Sequence, residues 1–270
     1  ELLGLDGHFS LRDRGVILRR PGLTFPWRIL PMTTTNAAFR VTRRVLGAPT
    51  VGPFLALLLA MAFFSYKSDV FLEGQNLSLV LQQVMVVGVL AIGQTFVILT
   101  AGIDLSCGTV MAFGQIVMTK LAVAEGVDPL LAIALGIAAC VCFGLLNGVF
   151  VAGVGLPAFI VTLGTLNIAF ALTHVYSNDE TYSELPSELL FFGRFFTIGN
   201  AEITYGVPAM FVLYGIAWYA LTQTTWGRHV FAVGDNLEAA RLMGIKTKRV
   251  LLSVYVVAGL TYGIAAMLLV

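Results

Sequence analysis

Residues 76–101 read NLSLVLQQVMVVGVLAIGQTFVILTA, an apolar run without a single charged side chain. A helix needs about 20 mostly apolar residues to cross the hydrocarbon core of a bilayer, and this run is long enough. The composition extends the same conclusion to the whole chain, because 58% of its residues are hydrophobic and only 11% are charged. Soluble domains carry about 25% charged residues. The sequence therefore predicts an all-α fold, a polytopic bundle of transmembrane helices.

Apolar runs of this kind recur along the chain and predict about seven spans. They cover residues 45–66, 76–101, 107–123, 130–154, 157–176, 206–222 and 250–270. Polar, Gly or Pro residues interrupt the pattern near 101–107 and 154–158, where we expect broken or re-entrant segments.

The two ends of the sequence carry separate expectations. Met32 is the first methionine, and the residues before it show no sustained helical or strand period. We therefore expect Met32 to be the true start and residues 1–31 to be non-native, either upstream or disordered sequence. Residues 1–44 then form an N-terminal segment before the first span. The last run is still apolar at Val270, so we interpret 45–270 as a transmembrane domain that is incomplete at its C-terminus.

Charge bias in the loops predicts the orientation of these spans. Residues 32–49 and 223–249 are rich in Lys and Arg, whereas the loop 177–205 carries five acidic residues against one Arg. Short basic loops remain in the cytoplasm. The N-terminus and the loop 223–249 are therefore predicted inside the cell, which agrees with the even number of six spans between them.

The loop 223–249 contains the signals of a short helix. Asp235 is the predicted N-cap, Glu238 completes a capping box, and Gly244 stands where a C′ glycine would end the helix. Glu238 and Arg241 are three residues apart on its surface, so they pair either with each other or with a partner protein. Ala239 and Ala240 would give such a partner close access to the backbone.

Asp104 is the ionisable residue that lies between two apolar runs, in the sequence AGIDLS. Charged groups at membrane depth are costly and face a cavity or a partner. We expect its carboxylate to be the N-cap of a helix that starts near Leu105. A direct substrate contact is a compatible alternative, since broken helices of transporters place their ends at the translocation path.

Small and polar residues within the spans indicate close helix packing. The pairs Gly144/Gly148 and Gly259/Gly263 each place two glycines on one helix face, which favours tight packing inside one subunit or a dimer seam. Asn147 needs a hydrogen-bond partner and either bridges helices or lines a pathway. Threonine hydroxyls of the span 157–176 are expected to bond back to their own helix.

Several kinds of chemistry have no signal in the sequence. A Gly-x4-Gly-Lys-Ser/Thr phosphate loop, a His-Glu-x-x-His metal motif and a Gly-x-Ser-x-Gly nucleophile elbow are all missing. The three cysteines lie in apolar runs without metal-ligand spacing, and the net charge of +1 gives no argument for nucleic-acid binding. We therefore expect no catalytic residue, metal site, cofactor or nucleic-acid partner in this chain.

Four motifs in this order resemble the permease subunit of bacterial ABC sugar importers of the ribose/xylose/galactose type. They are AGIDLSCG at 101–108, Asn147-Gly148, PAFIVTLGT at 157–165 and TWGRHVFAVGDNLEAARLMGI at 225–245. The chain departs from the family pattern at Ala101, where glycine is usual, and at Cys107, where valine is usual. The resemblance covers residues 45–270.

The resemblance implies a permease homodimer in the inner membrane, a cytoplasmic ATP-binding subunit and a periplasmic sugar-binding protein. The ATPase would bind the loop 223–249 through a set of coupling residues. These are Gly234, Asp235, Asn236, Glu238, Ala239, Ala240, Arg241, Gly244 and Ile245. The candidates for the translocation path are Asp104, Ser106, Asn147, Pro157, Phe159, Thr162, Thr165 and Asn167.

Two other functions remain open from the residues. A secondary transporter or channel would work without an ATPase, but such proteins usually show more intramembrane carboxylates than the one candidate here. A permease of the same superfamily for branched-chain amino acids is the other alternative. The GIDLS stretch and the single loop 223–249 favour the sugar branch through the resemblance alone.

Overall fold

The structure is a computed structural model that describes residues 51–199 and 201–270. The predictions for residues 1–31, 1–44 and the start of the first span therefore lie outside the described residues. Nine α-helices lie within the described part: α1 Val51–Lys67, α2 Gly74–Leu99, α3 Cys107–Val123, α4 Pro129–Gly148, α5 Ala158–Ser177, α6 Gly206–Gln223, α7 Thr225–Asp235, α8 Leu237–Leu242 and α9 Thr247–Leu269.

The predicted spans correspond to these helices, and the all-α class is confirmed. Helices α2, α5 and α9, and α4 with its continuation to Val154, are long and apolar enough to cross a membrane. Helices α1 and α3 are apolar but have 17 residues each, and α6 has 18. The predicted interruption near 154–158 is a π-helical segment, Val149–Val154, followed by Gly155 with a positive φ of 88°.

Helix α9 is the centre of the bundle and packs against α2, α3 and α4. Its fully buried residues include two large aromatic side chains, Tyr255 and Tyr262, that lie seven residues apart. Gly148 lies beside Leu252, and Gly263 lies beside Ile137. Positions near the end of α4 thus meet positions near the start of α9, so the two helices run antiparallel.

The two glycine pairs form one seam between α4 and α9. A Cβ atom at Gly259 would lie 2.6 Å from the Cys140 carbonyl oxygen and 3.1 Å from the Gly144 Cα. A Cβ atom at Gly144 would overlap the Tyr255 carbonyl oxygen. Such close backbone approach requires residues without a side chain. The prediction of tight packing inside one subunit is confirmed, because the glycines of α4 and α9 pack against each other within this chain.

The acidic loop 177–205 contains regular structure that the sequence analysis did not predict. A 3₁₀ helix, Leu189–Gly193, precedes a two-stranded antiparallel hairpin, β1 Phe195–Ile198 and β2 Ala201–Thr204. Phe196 pairs with Ile203 in this hairpin. Strands of four residues are too short to produce a clear alternating pattern in the sequence.

Candidate functional site

The chain between α2 and α3 folds back along the end of α2 without regular secondary structure. Ala101 has a positive φ of 59°, which reverses the chain direction. The Gly102 amide then donates to the Val97 carbonyl oxygen at 3.1 Å, and the Gln94 side-chain amide donates to the Asp104 carbonyl oxygen at 2.5 Å. The predicted break near 101–107 is confirmed.

Asp104 is 3% exposed, and its carboxylate has three hydrogen-bond donors. Oδ1 accepts from the Ser106 amide at 2.8 Å and from the Ser106 hydroxyl at 2.6 Å, and Oδ2 accepts from the Tyr262 hydroxyl at 3.0 Å. The N-cap position of α3 belongs to Ser106, and the helix starts at Cys107 rather than near Leu105. The prediction that Asp104 caps this helix is therefore wrong. Its carboxylate instead closes a local turn around Ser106 and ties that turn to α9.

Asn147 joins the break to two further helices. Its side-chain amide donates to the Ser106 hydroxyl at 3.1 Å, and its oxygen accepts from the Thr165 hydroxyl of α5. Thr162 of α5 contacts the Ile103 carbonyl oxygen at 3.1 Å. The interpretation of Asn147 as a bridge between helices is confirmed.

We call this buried group of hydrogen-bonded side chains the polar hub. It consists of Asp104, Ser106, Asn147, Thr162, Thr165 and Tyr262. Both threonines also bond back to their own helix, at the Ala158 and Val161 carbonyl oxygens, as predicted. Irregular backbone at membrane depth is tolerated where protein surrounds it and satisfies its polar groups. Side chains of the hub supply hydrogen-bond partners for backbone groups of the break, such as the Ile103 carbonyl oxygen and the Ser106 amide.

Three predicted path residues lie outside the polar hub. Pro157, Phe159 and Asn167 are exposed on the surface of α5, and the Asn167 amide bonds back to the Leu163 carbonyl oxygen at 2.8 Å. The structure therefore divides the path candidates into five buried residues and three exposed ones.

Two tyrosines of α9 were missed by the sequence analysis. Tyr262 belongs to the polar hub, and the buried Tyr255 hydroxyl has no hydrogen-bond partner among the described residues. Gly102 in the break lies beside that hydroxyl. The only sequence signal was two large polar-tipped aromatics on one face of an otherwise apolar span.

The loop 223–249 holds two helices, of which the sequence analysis predicted one. Thr224 caps α7 by accepting from the Gly227 amide at 3.1 Å. Gly227, Val230 and Val233 are buried three residues apart on one face of α7, while most of the rest is polar or exposed. Gly234 lies so close to the Leu99 carbonyl oxygen that a Cβ atom would overlap it. The end of α7 is thus packed directly against the end of α2.

Helix α8 begins one residue later than predicted. Asn236 is its N-cap and accepts from the Ala239 amide at 2.9 Å, while Asp235 is the last residue of α7. The predicted capping box of Asp235 and Glu238 is therefore wrong, because α7 extends helical structure through Asp235. The predicted end is confirmed, since Gly244 has a φ of 85°.

The backbone around Gly244 forms a complete Schellman motif. The Gly244 amide donates to the Arg241 carbonyl oxygen at 3.0 Å, and the Ile245 amide donates to the Ala240 carbonyl oxygen at 3.1 Å. These two bonds satisfy carbonyl groups that the end of α8 would otherwise leave free.

One face of α8 is buried and the opposite face is free. Ala240 is fully buried in the core, so the expectation that it gives a partner access to the backbone is wrong; Ala239 is exposed. Leu242 and Met243 are 87% and 70% exposed. Glu238 and Arg241 approach to 4.0 Å with both side chains exposed. An exposed pair at this distance contributes little to stability.

Two features stand out in this part of the chain, the supported break and the short helix α8. Among the described residues no group of three His, Cys, Asp or Glu side chains could hold a metal ion. The described chain offers a break whose Asp104 and Ser106 are buried and held by four elements. It also offers a short exposed helix, α8, whose neighbour α7 contacts the start of that break.

Comparison with known proteins shows what the chain is similar to. It is 42% identical over 224 residues to the fructose import permease protein FrcC of Rhizobium meliloti, an alignment that covers 81% of this chain and 62% of the relative. It is 37% identical over 223 residues to the ribose import permease protein RbsC of Bacillus subtilis, covering 81% of this chain and 67% of the relative. It is also 34% identical over 216 residues to the D-allose transport system permease protein AlsC of Escherichia coli, covering 79% and 65%. The chain thus spans 62 to 67% of the length of these relatives.

No solved structure matches the chain. The sequence model of one family, described as branched-chain amino acid transport system / permease component, matches residues 76–270. The match covers α2 to α9, and with it both the polar hub and the loop 223–249. The chain therefore belongs to the family of branched-chain amino acid transport system permease components.

Proposed function

We propose that this chain is the membrane permease of an ABC importer that moves a monosaccharide into a bacterial cell. The observation that carries this proposal is the set of relatives described above, whose names specify fructose import, ribose import and D-allose transport. All three are monosaccharides. The proposal extends their role to a chain that shares about two thirds of their length.

The coupling surface of this importer would be the free face of α8. It presents Glu238, Ala239, Arg241, Leu242 and Met243, a mixture of charged and apolar side chains without a partner in the described chain beyond the weak Glu238–Arg241 pair. A cytoplasmic ATPase would bind this face, and its ATP-driven closure would move α8 and α7 together. Gly234 would pass the movement to Leu99, directly before the break.

The translocation path would lie beside the exposed surface of the break and of α5. Ile103 and Leu105 of the break and Phe159 of α5 are exposed, whereas the polar hub lies behind them. The hub would then support the path without touching the sugar. A second copy of the permease would complete the path, and a periplasmic sugar-binding protein would deliver the sugar at the acidic loop 177–205.

Branched-chain amino acid transport is a second candidate, because the matching family carries that description. The named relatives favour a sugar. A secondary transporter is less favoured, since it leaves the capped and exposed α8 without a role.

Reconstitution of the full-length permease with its ATPase and binding protein tests the proposal. Vesicles that hold all three should accumulate a labelled monosaccharide from a panel of ribose, fructose, allose and arabinose only when ATP is present. Accumulation of leucine instead of every sugar would support the second candidate. Sugar uptake that continues without the ATPase would contradict the proposal.

A cross-linking experiment tests the coupling surface separately. Ala239→Cys places a thiol on the free face of α8, and it should cross-link to the ATPase in at least one nucleotide state. Thr222→Cys, at an exposed position in the last turn of α6, is the matched control and should not. If neither thiol reacts in any state, α8 is not the docking helix.

A further inference from the structure

Two cavities of opposite character adjoin at the cytoplasmic end predicted for α9. The first is a cleft of about 550 Å³ between α7, the residues 243–245 that follow α8, and the start of α9, and its lining includes Lys246, Arg249 and His229. The second is a groove of about 390 Å³ between α2, α6 and α9, and apolar side chains such as Phe96, Ala217 and Leu260 line it. The indole of Trp226 lines both cavities.

One stripe of α9 connects the cleft to the groove. Arg249 and Ser253 line the cleft, and Val257, Leu260 and Ile264 line the groove. These positions follow one another at intervals of four, four, three and four residues, so they share one face of the helix. A ligand that lies along this face meets cationic groups first and hydrocarbon afterwards.

Trp226 lies at the boundary between the basic cleft and the apolar groove. Its indole nitrogen donates to the Ser253 hydroxyl at 2.8 Å, and its ring packs edge to face on Phe96 at 5.4 Å. Tryptophan with one polar and one apolar contact is typical of the boundary between headgroups and acyl chains. The position of Trp226 therefore predicts that the cleft lies at headgroup level and the groove at the level of the acyl chains.

We propose that the cleft and the groove together bind one anionic phospholipid. The phosphate would lie between Lys246 and Arg249, and an acyl chain would pass Trp226 into the groove. The charges support this occupant, because the side chains that line the two cavities in the described part of the chain include no Asp or Glu. Basic pockets between membrane helices on the cytoplasmic side bind anionic headgroups in this manner.

A lipid explains this surface better than the ATPase does. A protein partner would account for the basic cleft, but it would leave the adjoining groove, which is lined almost entirely by apolar side chains, without an occupant. The inference goes beyond sugar import and does not rest on it, because lipid retention is measured without transport.

The test measures the lipid that the full-length permease retains. The protein is purified from membranes, placed in nanodiscs of equal parts phosphatidylglycerol and phosphatidylethanolamine, and extracted again in mild detergent. Mass spectrometry of the bound lipid should show enrichment of phosphatidylglycerol over the bulk ratio. Each basic side chain should contribute about fivefold. The double variant K246Q/R249Q should return the ratio to that of the bulk.

Two matched controls separate the site from the net charge and from folding. The variant R228Q/K248Q removes the same charge from neighbouring positions that do not line the cleft and should keep the enrichment. Ala217→Phe fills the groove and should lower retention, whereas Val212→Phe on the exposed side of α6 should not. Size-exclusion profiles identify any variant that does not fold. If one variant fails to fold, the other variant and its control test the site.

Six results would overturn the proposal. Equal retention of both lipids, or an equal loss in R228Q/K248Q, would show that there is no specific site. Displacement of phosphatidylglycerol by glycerol phosphate, or normal retention in Ala217→Phe, would indicate a soluble anion site without a chain-binding groove. Release of the lipid when the ATPase is added would assign the cleft to that subunit. Protection of the groove by another segment of the full-length chain would assign the groove to that segment.

Discussion

The break at 100–106 and the linkers around α8 are both irregular, yet different interactions hold them. The polar hub fixes the break through side chains of four elements, and the Asp104–Tyr262 bond joins residues 158 positions apart. The linkers around α8 are fixed locally, by the Asn236 cap and the Schellman bonds around Gly244. The first arrangement ties the break to distant helices, whereas the bonds at the ends of α8 are local and only Ala240 anchors this helix in the core. This difference suits a support behind a path and a helix that a partner moves.

The largest effect is expected from a change that separates the helices on which the hub depends. Gly259→Val places a side chain against the Cys140 carbonyl and the Gly144 Cα, and backbone atoms cannot move aside. We expect destabilisation of about 3 kcal/mol, the upper end of the usual cost of overpacking, and little folded protein. Gly215→Val is the control, since a Cβ atom there meets nothing within 4 Å. Fluorescence-detected size-exclusion chromatography measures the folded fraction, and equal yields of the two variants would show that the seam is not tight.

The hub itself is broken by Asp104→Leu. The Ser106 amide and the Tyr262 hydroxyl would both lose their acceptor while buried, which should destabilise the fold by about 2–3 kcal/mol. The midpoint of thermal unfolding in detergent is the measurement. Asp104→Asn retains an acceptor oxygen and should recover part of the loss. A wild-type midpoint in Asp104→Leu would mean that the carboxylate has no structural role.

The two buried tyrosines of α9 give a sharper contrast. Tyr262→Phe removes a hydroxyl that donates to Asp104 and should cost about 1–2 kcal/mol. Tyr255→Phe removes a buried hydroxyl without a partner among the described residues, so it should be neutral or slightly stabilising. The measurement is again the midpoint of thermal unfolding in detergent, here compared between the two variants. A larger decrease of the midpoint in Tyr255→Phe than in Tyr262→Phe would contradict the hydrogen bonding described for the hub.

The smallest effect is expected at α8, where the interactions are local. Asn236→Ala removes the N-cap and should loosen α8 by about 1 kcal/mol or less, without moving the unfolding midpoint of the bundle. Hydrogen exchange should accelerate at the amides of α8 and remain unchanged at those of α9. Faster exchange throughout both helices would show that α8 is not an independent unit.

The difference between local and long-range interactions also explains which features could be predicted from the sequence. The positive φ of Gly244 follows from a local pattern, and the prediction was correct. The N-cap was assigned one residue early because Asp235 and Asn236 both suit that position, and the extent of α7 decides between them. Helix α7 was missed because its buried face consists of only Gly227, Val230 and Val233, and the other positions mix polar and apolar residues.

The hub was predicted only in part. Asp104 and Asn147 were recognised as polar groups that need partners within apolar runs. The identity of the partners depends on which helices meet, and no local pattern carries that information for Tyr262. The burial of Ala240 was missed for the same reason, since its neighbour Ala239 has the same propensity but faces the other way.

The distance along the chain between Asp104 and Tyr262 also has a consequence for biosynthesis. A ribosome that adds about 5–20 residues per second completes Tyr262 roughly 8 to 30 s after Asp104. During that interval the carboxylate has Ser106 beside it but lacks its donor from α9. The segment 100–106 would therefore remain near the water interface, or inside the insertion machinery, until α9 arrives. On this view α9, the last helix of the described chain, completes the membrane insertion of the segment that follows α2.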